Sequence, residues 1–433
     1  MAAIKLTYIG GGSTRAPGTV AALVMRGAAF AGSEVTLVDL DERRLDTVRR
    51  IAEGMARARG VDLRVTTTTD RAAGLRDADV VLTSFRPGGF EARVLDETIP
   101  LKYGVIGQET QGPGGFFMAL RSIAVMQGIV ADMERLCPGA TLVNYTNPVN
   151  IVSEAVTHHS AIPTISLCEG PLYFPPGAVK SAGLDPAPLD AMLVGLNHTG
   201  WTVRHQYDGR DVIPLIREAA ERRRREPSGN DRSDRMLQLA AMMGTLPSAY
   251  LDYYYFREEA LEEARSKPTT RGQDILAEVA DYWRHYEEQA DAAEPDLDPA
   301  RSRGGILELE LAIDVIDAMV NDTGARWPVN VPNRGCALPG FPEDLVVEVP
   351  AIVDGRGATP VLVPPLPRQV RGLIEMLGEY QALTAEAAWS GGRREGVAAL
   401  ASHPLVVSLS LAERLYDEMA AAHRAHLPDR LLA

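Results

Sequence analysis

The sequence predicts an α/β protein in which an N-terminal Rossmann-type domain, built on a doubly wound parallel sheet, precedes a mixed α+β C-terminal domain. Three observations support this fold. The first third of the chain alternates short apolar segments with segments of helical periodicity. A glycine-rich turn follows the first apolar segment, and long helical segments dominate after Trp201. We predict a boundary that gives one domain over residues 1–167 and another over residues 168–433.

Each N-terminal element follows from its hydrophobic pattern. Residues 4–9 form a short apolar run and predict the first strand, and Val20, Leu23 and Val24 lie in the helical stretch after the glycines. Right-handed crossovers between such units build a parallel sheet with helices on both faces. The remaining N-terminal pattern predicts strands over residues 34–39, 63–68, 78–85 and 141–145, and helices over residues 42–59 and 115–136.

The C-terminal half has a different pattern. A basic run within residues 221–231 and the polar stretch at 290–303 predict solvated loops, because charge runs usually lie on the surface. The pattern predicts long helices over residues 247–267, 273–288 and 367–389, and short strands over residues 345–350 and 359–363.

Composition narrows the class of partner. The chain has 433 residues, of which 24% are charged and 45% hydrophobic, as in globular proteins. Its net charge of -14 argues against nucleic-acid and anionic-membrane partners, so local arginines must bind any anionic group of a substrate. Three separated cysteines suggest no disulfide framework, and the N-terminal sequence shows no secretory pattern. We therefore expect a cytoplasmic protein.

A glycine-rich turn marks a candidate nucleotide site. Gly10, Gly11, Gly12 and Ser13 end the first predicted strand and open a helix. Backbone N–H groups at such a helix N-terminus bind a dinucleotide pyrophosphate, and glycines permit its close approach. The usual G-x-G-x-x-G motif is incomplete because Arg15 occupies the third glycine position. A glycine turn that serves only packing is the alternative.

An acidic residue strengthens the nucleotide prediction. Asp39 ends the second predicted strand, where a carboxylate accepts hydrogen bonds from ribose hydroxyls and disfavours a 2′-phosphate. The sequence therefore predicts NAD rather than NADP as the cofactor. Asp41 competes for this role, but its position before the helix at residue 42 is more typical of an N-cap.

Cys168 and His198 are the most informative pair for function. Each follows a hydrophobic run, so both side chains are expected where a strand gives way to a turn. A thiolate and an imidazole can share one divalent metal ion and leave coordination positions open for substrate oxygens. A small core cysteine and a hydrogen-bonded turn histidine are the alternative, which spacing alone favours. A shared metal requires a sulfur–nitrogen separation no greater than about 5 Å.

Asn147 is a further candidate. It precedes Pro148 after the strand predicted at 141–145, at the carboxyl edge where open α/β sheets bind ligands. Its amide is placed to contact a substrate hydroxyl or the nicotinamide ribose. A turn asparagine before proline is an equally good interpretation.

Taken together, the motifs resemble glycoside hydrolase family four, the NAD-dependent glycosidases, and look closest to its 6-phospho-β-glucosidase group. The resemblance runs in order through nearly the whole chain and implies a C-terminal half like that of lactate and malate dehydrogenases. Besides Cys168, the similar stretches are residues 9–13, 84–89, 103–115, 146–148, 195–198 with Trp201, 247–255, 270–272 and 329–335.

The resemblance implies hydrolysis of 6-phosphoglucosides by redox-assisted elimination. NAD takes a hydride from C3 of the sugar, a side chain removes the acidified C2 proton, and the group at C1 leaves. Water then adds and the hydride returns to C3. A divalent metal ion, typically Mn²⁺, on Cys168 and His198 would hold O2 and O3 of the sugar.

The resemblance also implies roles for individual residues. Tyr250 matches the catalytic base, with Tyr253 and Tyr254 as substitutes, although packing of Tyr250 and Tyr254 on one helix face is an alternative. Arg86 and Arg271 match arginines that bind the substrate phosphate.

Asn147 would contact the sugar, and Gln108 and Glu109 would surround the metal ligands. Glu169 is a candidate general acid. The sequence Cys168-Glu169-Gly170-Pro171 matches neither the α-specific nor the β-specific pattern of the family, so the anomeric preference stays open.

Other functions remain possible at this stage. A 2-hydroxy-acid dehydrogenase of the lactate or malate type shares the predicted fold, and a non-catalytic NAD or sugar sensor would keep the nucleotide domain. Within the resembled family, a 6-phospho-α-glucosidase or a glycosidase for unphosphorylated sugars is the alternative. The resemblance implies a homodimer or homotetramer.

Overall fold

The computed structural model describes residues 3–303 and 310–432. Within these residues, nine strands form one mixed sheet and three form a small antiparallel sheet. The strands are β1 Lys5–Ile9, β2 Ser33–Val38, β3 Leu63–Thr68, β4 Val80–Thr83, β5 Thr141–Asn144, β6 Thr164–Ser166, β7 Leu189–Val194, β8 Trp201–Tyr207, β9 Arg210–Asp211, β10 Ala325–Pro332, β11 Val346–Asp354 and β12 Gly357–Pro360.

Helices cover both faces of the large sheet, and several short 3₁₀ turns connect them. The α-helices are α1 Ala16–Met25, α2 Glu42–Arg59, α3 Arg71–Leu75, α4 Gly89–Lys102, α5 Gly112–Leu136, α6 Val149–His159, α7 Gly170–Ser181, α8 Ile213–Arg225, α9 Asp231–Met243, α10 Asp252–Tyr255, α11 Arg257–Ser266, α12 Arg271–Ala290, α13 Glu310–Val320, α14 Arg368–Trp389, α15 Arg393–Ala401 and α16 Leu409–Ala422.

The large sheet confirms the predicted Rossmann-type fold. Strands β3, β2, β1, β4, β5 and β6 lie side by side in this order and run parallel, which is the doubly wound arrangement. The strand order reverses between β1 and β4, so a crevice for ligands is expected at the carboxyl ends of these two strands. Gly10 and Ser84 follow them directly.

The C-terminal half contributes to the same sheet. Strand β10 pairs antiparallel with β6 through Asn330 and Ser166, and β11 and β12 extend the sheet further. A separate bridge joins Gly195 to Glu348 of β11 and so attaches the segment after β7 to the large sheet. The boundary after residue 167 stays a prediction.

Helix α5 is the long apolar helix of the fold. It is long and apolar enough to span a membrane, but 72% of its most apolar window is buried inside the protein. Phe116, Phe117 and Met126 of this helix are fully buried. Helix α5 is therefore packed as a core helix.

Two predicted elements differ in the structure. The helix expected over residues 247–267 is broken into a 3₁₀ turn, α10 and α11, because Phe256 adopts φ -131° and ψ 49°, outside the helical region. The basic run expected in a loop instead forms the last turn of α8, where cationic side chains interact favourably with the carbonyl end of the helix. Arg222 there donates to the Ala182 carbonyl at 2.8 Å.

Candidate active site

The glycine turn after β1 forms one wall of a cavity of about 480 Å³. Gly10 has φ +99°, and a Cβ there would lie 2.1 Å from the carbonyl oxygen of Ser84. Gly12 and Ser13 also line the cavity, whereas a Cβ on Gly11 would press on Leu37 of β2 at 2.8 Å. The turn therefore leaves open the space that a dinucleotide pyrophosphate needs.

Asp39 lies beside this turn. Its carboxylate accepts hydrogen bonds from the backbone N–H of Gly12 at 2.9 Å and of Leu40 at 2.7 Å, and it lines the cavity. Asp41 instead caps α2 by accepting from the N–H of Arg44, as predicted. The glycine turn and Asp39 are thus the described residues of this cavity that could hold a dinucleotide.

Deeper in the same cavity lies a buried group of charges. Arg86 pairs with Glu109, and Arg93 reaches the other carboxylate oxygen of Glu109 at 2.6 Å and Glu97 at 2.8 Å. Burial alone would raise the pKa of Glu109, but the charges of Arg86 and Arg93 outweigh it and hold that pKa well below its usual value. Asn147 donates to Glu109 at 3.1 Å. We call Arg86, Arg93, Glu97 and Glu109 the charge cluster.

The two predicted phosphate-binding arginines lie in different places. Arg86 lines the cavity, whereas Arg271 is exposed as the first residue of α12 and does not contribute to the cavity lining. Arg303, which the sequence did not single out, lines the cavity instead and lies over the ring of Phe90 at 4.5 Å. In the sequence, Arg303 is recognisable only as a basic residue at the end of the polar stretch at residues 290–303.

Cys168 and His198 meet in the structure. Cys168 Sγ lies 3.4 Å from His198 Nε2, within the 5 Å limit, and two metal bonds of about 2.0–2.3 Å to one ion fit this separation. The described residues contain no group of three or more histidine, cysteine or acidic side chains placed for a metal. A metal held by this pair therefore keeps several positions open for substrate oxygens.

The surroundings fix the imidazole. His198 has φ +67°, a conformation that few residues other than glycine adopt, and its backbone carbonyl accepts from the Ser248 hydroxyl. The Thr110 hydroxyl lies 2.7 Å from His198 Nδ1, and Gln108 Oε1 accepts from the Thr110 N–H at 2.7 Å. These contacts leave Nε2 facing Cys168, as a metal ligand requires.

Burial acts on both predicted ligands. It raises the pKa of the Cys168 thiol to about 12, with the nearby Glu348 carboxylate adding to the effect, and lowers the pKa of His198 to about 4. Without a cation the site therefore favours a neutral thiol and a neutral imidazole. A divalent ion would reverse this for the thiol, because its charge stabilises the thiolate.

Glu348 of β11 supports the loop that carries His198. Its Oε1 accepts from Asn197 at 2.9 Å and from Asn330 at 3.1 Å, and its backbone pairs with Gly195. Burial raises the pKa of this carboxyl to about 7. Glu348 was not predicted from the sequence, because its partners Asn197 and Gly195 are distant in the chain.

Tyr250 lies against the candidate metal ligands. Its ring stacks on His198 with centroids 4.0 Å apart and an interplanar angle of 18°, and burial raises its pKa. Tyr254 occupies a different helix and donates to Gln111 Oε1 at 2.5 Å, so the two tyrosines do not share a helix face. Tyr250 is thus the tyrosine placed beside the pair.

Glu169 follows Cys168 at the start of α7. Its carboxylate accepts from the Tyr145 hydroxyl at 2.9 Å, and Tyr145 lines the large cavity. Burial and the negative charge of Glu169 raise the pKa of Tyr145 well above its usual value. The two side chains connect the cavity to the loop that carries Cys168.

The Rossmann sheet, its cavity beside the glycine turn, and a cysteine and histidine connected to that cavity through Thr110 and Tyr145 define the chain as an enzyme of the dinucleotide-dependent class. Its sequence specifies the class further. Residues 5–175 match the family 4 glycosyl hydrolase profile, and residues 193–406 match the profile of the family 4 C-terminal domain. The chain therefore belongs to family 4 of the glycosyl hydrolases, as its motifs indicated.

Individual relatives agree with this assignment. A probable 6-phospho-beta-glucosidase of Bacillus subtilis is 35% identical, over 98% of this chain and 97% of the relative. The 6-phospho-beta glucosidase of Thermotoga maritima, solved with NAD and glucose-6-phosphate, has a TM-score of 0.86 and 26% identity over 99% of this chain and all of the other. A second crystal of that enzyme, with manganese, NAD⁺ and glucose-6-phosphate, gives 0.83 and 25% over 98% and 99% of the two chains.

A more distant likeness concerns the fold alone. Lactate dehydrogenase from Eimeria maxima has a TM-score of 0.55 and 13% identity, over 90% of this chain and 96% of that one. It confirms the predicted fold of the C-terminal half. Membership of family 4 argues against the alternative that this chain is itself a 2-hydroxy-acid dehydrogenase.

Proposed function

We propose that this chain hydrolyses the O-glycosidic bond of 6-phospho-β-glucosides, with NAD and a divalent metal ion, Mn²⁺ in particular, as cofactors. The observation that carries the proposal is the 3.4 Å separation of Cys168 Sγ and His198 Nε2 next to the nucleotide cavity. The 35% identical relative and the Thermotoga enzyme with its bound NAD, manganese and glucose-6-phosphate support the choice of substrate and cofactors.

Two groups of residues hold the two cofactors. When bound, NAD supplies transient oxidation at C3 of the sugar, and the metal ion supplies positive charge beside O2 and O3. Gly10, Gly12 and Asp39 hold the dinucleotide, and Cys168 and His198 hold the metal.

Tyr250 removes the C2 proton. Its phenol has a raised pKa, so it needs the field of the neighbouring cation to act as a base near neutrality.

The remaining side chains orient the substrate. Arg86 and Arg303 line the cavity where the sugar phosphate binds, and Asn147 reaches the sugar from the edge of the sheet. Glu169 is the proposed proton donor to the leaving group; for this step its carboxyl is protonated on the oxygen that does not accept from the Tyr145 hydroxyl. Arg271 is exposed, so it reaches the phosphate only if α12 shifts towards the cavity.

The test uses 4-nitrophenyl β- and α-glucoside 6-phosphates and unphosphorylated 4-nitrophenyl β-glucoside, each with NAD and Mn²⁺ in deuterated water. We expect nitrophenol release from the phosphorylated β-substrate, with deuterium at C2 of the glucose-6-phosphate formed. Hydrolysis of the β-substrate without the label rejects the elimination route. Preference for the α-anomer or for the unphosphorylated sugar assigns the chain to the alternative substrate class of the family.

Assembly and location are part of the proposal. We infer a homodimer or homotetramer in the cytoplasm, because a phosphorylated sugar is an intracellular type of substrate and three unpaired cysteines suit a reducing compartment. Light scattering coupled to size exclusion measures the assembly, and a monomeric mass at micromolar concentration would reject it.

A further inference from the structure

Building on the proposed function, we infer that a second cavity, between α7 and α9, receives the leaving group of the substrate and that this group is aromatic. The cavity measures about 320 Å³, within the range of small-molecule sites. Tyr173 and Phe174 of α7, Arg232 and Met236 of α9, and Ala249 line it.

This leaving-group cavity adjoins the predicted catalytic residues. The Phe174 ring contacts Tyr250 edge-on, with centroids 5.8 Å apart, and His198 likewise at 6.4 Å. Ala249 precedes Tyr250 in the chain. The Phe174 ring therefore lines the leaving-group cavity and also contacts Tyr250 and His198.

The two cavities are separate and are connected to the predicted metal ligands through different contacts. Among the described residues they have no lining residue in common. Glu109 lines the large cavity, and the next residue, Thr110, contacts His198. Phe174 lines the small cavity, and its ring contacts His198. In this assignment the sugar and its phosphate occupy the large cavity, and the C1 substituent extends past Phe174 into the small one.

Gly170 makes room for the Phe174 ring. A Cβ at residue 170 would lie 2.5 Å from Cε2 of Phe174, so any side chain there displaces the ring. The N–H of Gly170 also lies 3.3 Å from Cys168 Sγ, which places the ring next to the loop that carries the metal ligand. Glycine at this position and phenylalanine four residues later thus act as one feature of the site.

The lining favours an uncharged ring. Arg232 is the cation among the described lining residues, and its charge is already engaged: it donates to the Ala249 carbonyl at 2.9 Å, pairs with Asp252 at 3.4 Å and stacks on Tyr253. Phe174 and Met236 supply apolar surface, and Tyr173 is 64% exposed at the rim. An aromatic leaving group gains stacking and apolar contact here, whereas an anionic one finds no free cation among these residues.

The test compares phenyl and methyl β-glucoside 6-phosphates as substrates of the intact enzyme with NAD and Mn²⁺. We expect Phe174→Ala to lower kcat/KM about tenfold for the phenyl substrate and less than about twofold for the methyl substrate. Met236→Trp, which fills the cavity from α9, should produce the same selective loss. Leu172→Ala is the matched control, since Leu172 is on α7 and 41% exposed but lines a different surface, and it should leave both substrates unchanged.

The possible outcomes distinguish failure of the leaving-group assignment from failure of the proposed function. Equal losses for both substrates in Phe174→Ala and in Met236→Trp would mean that these residues only support the fold, and would overturn the leaving-group assignment while the proposed function stands. A wild-type enzyme that hydrolyses neither substrate would refute the proposed function and the assignment together.

Discussion

The charge cluster and the pair of Cys168 and His198 are neighbouring buried groups. They differ in whether charges of opposite sign compensate for the burial of ionisable side chains. In the cluster, Arg86 and Arg93 pair with Glu109 and Glu97, so the buried charges of opposite sign compensate each other. Around the pair no such compensation is seen among the described contacts, and burial shifts both pKa values towards the neutral forms. The difference indicates that the cluster is complete without a cofactor, whereas the pair becomes charged only with a cation.

The largest effect is expected when the pair is broken. Cys168→Ala removes the proposed sulfur ligand and should lower kcat/KM about 10³-fold, because a metal that stabilises transition-state charge contributes several kcal/mol. Metal binding by calorimetry should be lost in parallel. The control is Cys336→Ala, since Cys336 is exposed and its thiol donates to the Glu343 carboxylate. Retained metal affinity in Cys168→Ala would show that the ion binds elsewhere.

The second prediction breaks the cluster. Glu109→Gln leaves Arg86 and Arg93 buried without their shared carboxylate and should lower the free energy of unfolding by about 3 kcal/mol in urea. The control Glu418→Gln removes a partly exposed carboxylate that binds Lys102 and Tyr103 at the surface, and it should cost less than about 1 kcal/mol. Equal stability of the wild type and Glu109→Gln would mean that the cluster is not neutralised in the way described.

The third prediction concerns pH. The folded-state pKa of Glu348 is raised by burial to about 7, so its contribution to stability is fully present below about pH 4.5 and is lost as pH rises through 7. Glu348→Gln should therefore gain about 3 kcal/mol over the wild type at pH 8 and nothing at pH 4.5, as measured by urea unfolding. Glu413→Gln, at an exposed position, should show no such pH-dependent gain. A constant difference between Glu348→Gln and the wild type at all pH values would contradict the assignment.

The sequence predicted the first of these regions only in part. Arg86 was expected as a free phosphate-binding residue, but the structure pairs it with Glu109, because residues 23 positions apart meet between β4 and α5. Periodicity reveals which residues are buried and not which charges neutralise each other. Arg303 was not predicted either, because local sequence does not show that the segment after α12 packs against Tyr286 of that helix and lines the cavity.

The pair was better predicted, since both residues follow a strand as expected and their side chains meet. Cys168 follows β6 of the large sheet, but His198 follows β7 of the small sheet, so neighbouring strand ends do not bring them together. The bridge between Gly195 and Glu348 does, and its partner lies 153 positions along the chain. Such a pairing is not visible in local sequence, and here the family resemblance supplied what spacing did not.

The smallest expected effect concerns the residue between the charge cluster and His198. Thr110 connects the two regions, since it follows Glu109 in the chain and its hydroxyl contacts His198 Nδ1 at 2.7 Å. Thr110→Val keeps the volume and removes this hydrogen bond, which should weaken Mn²⁺ binding about tenfold while kcat at saturating metal stays within about twofold. Thr157→Val, which loses a hydroxyl on α6, is the control. If Thr110→Val lowered stability like Glu109→Gln without changing metal affinity, Thr110 would belong to the charge cluster instead, and the imidazole would be oriented by its backbone alone.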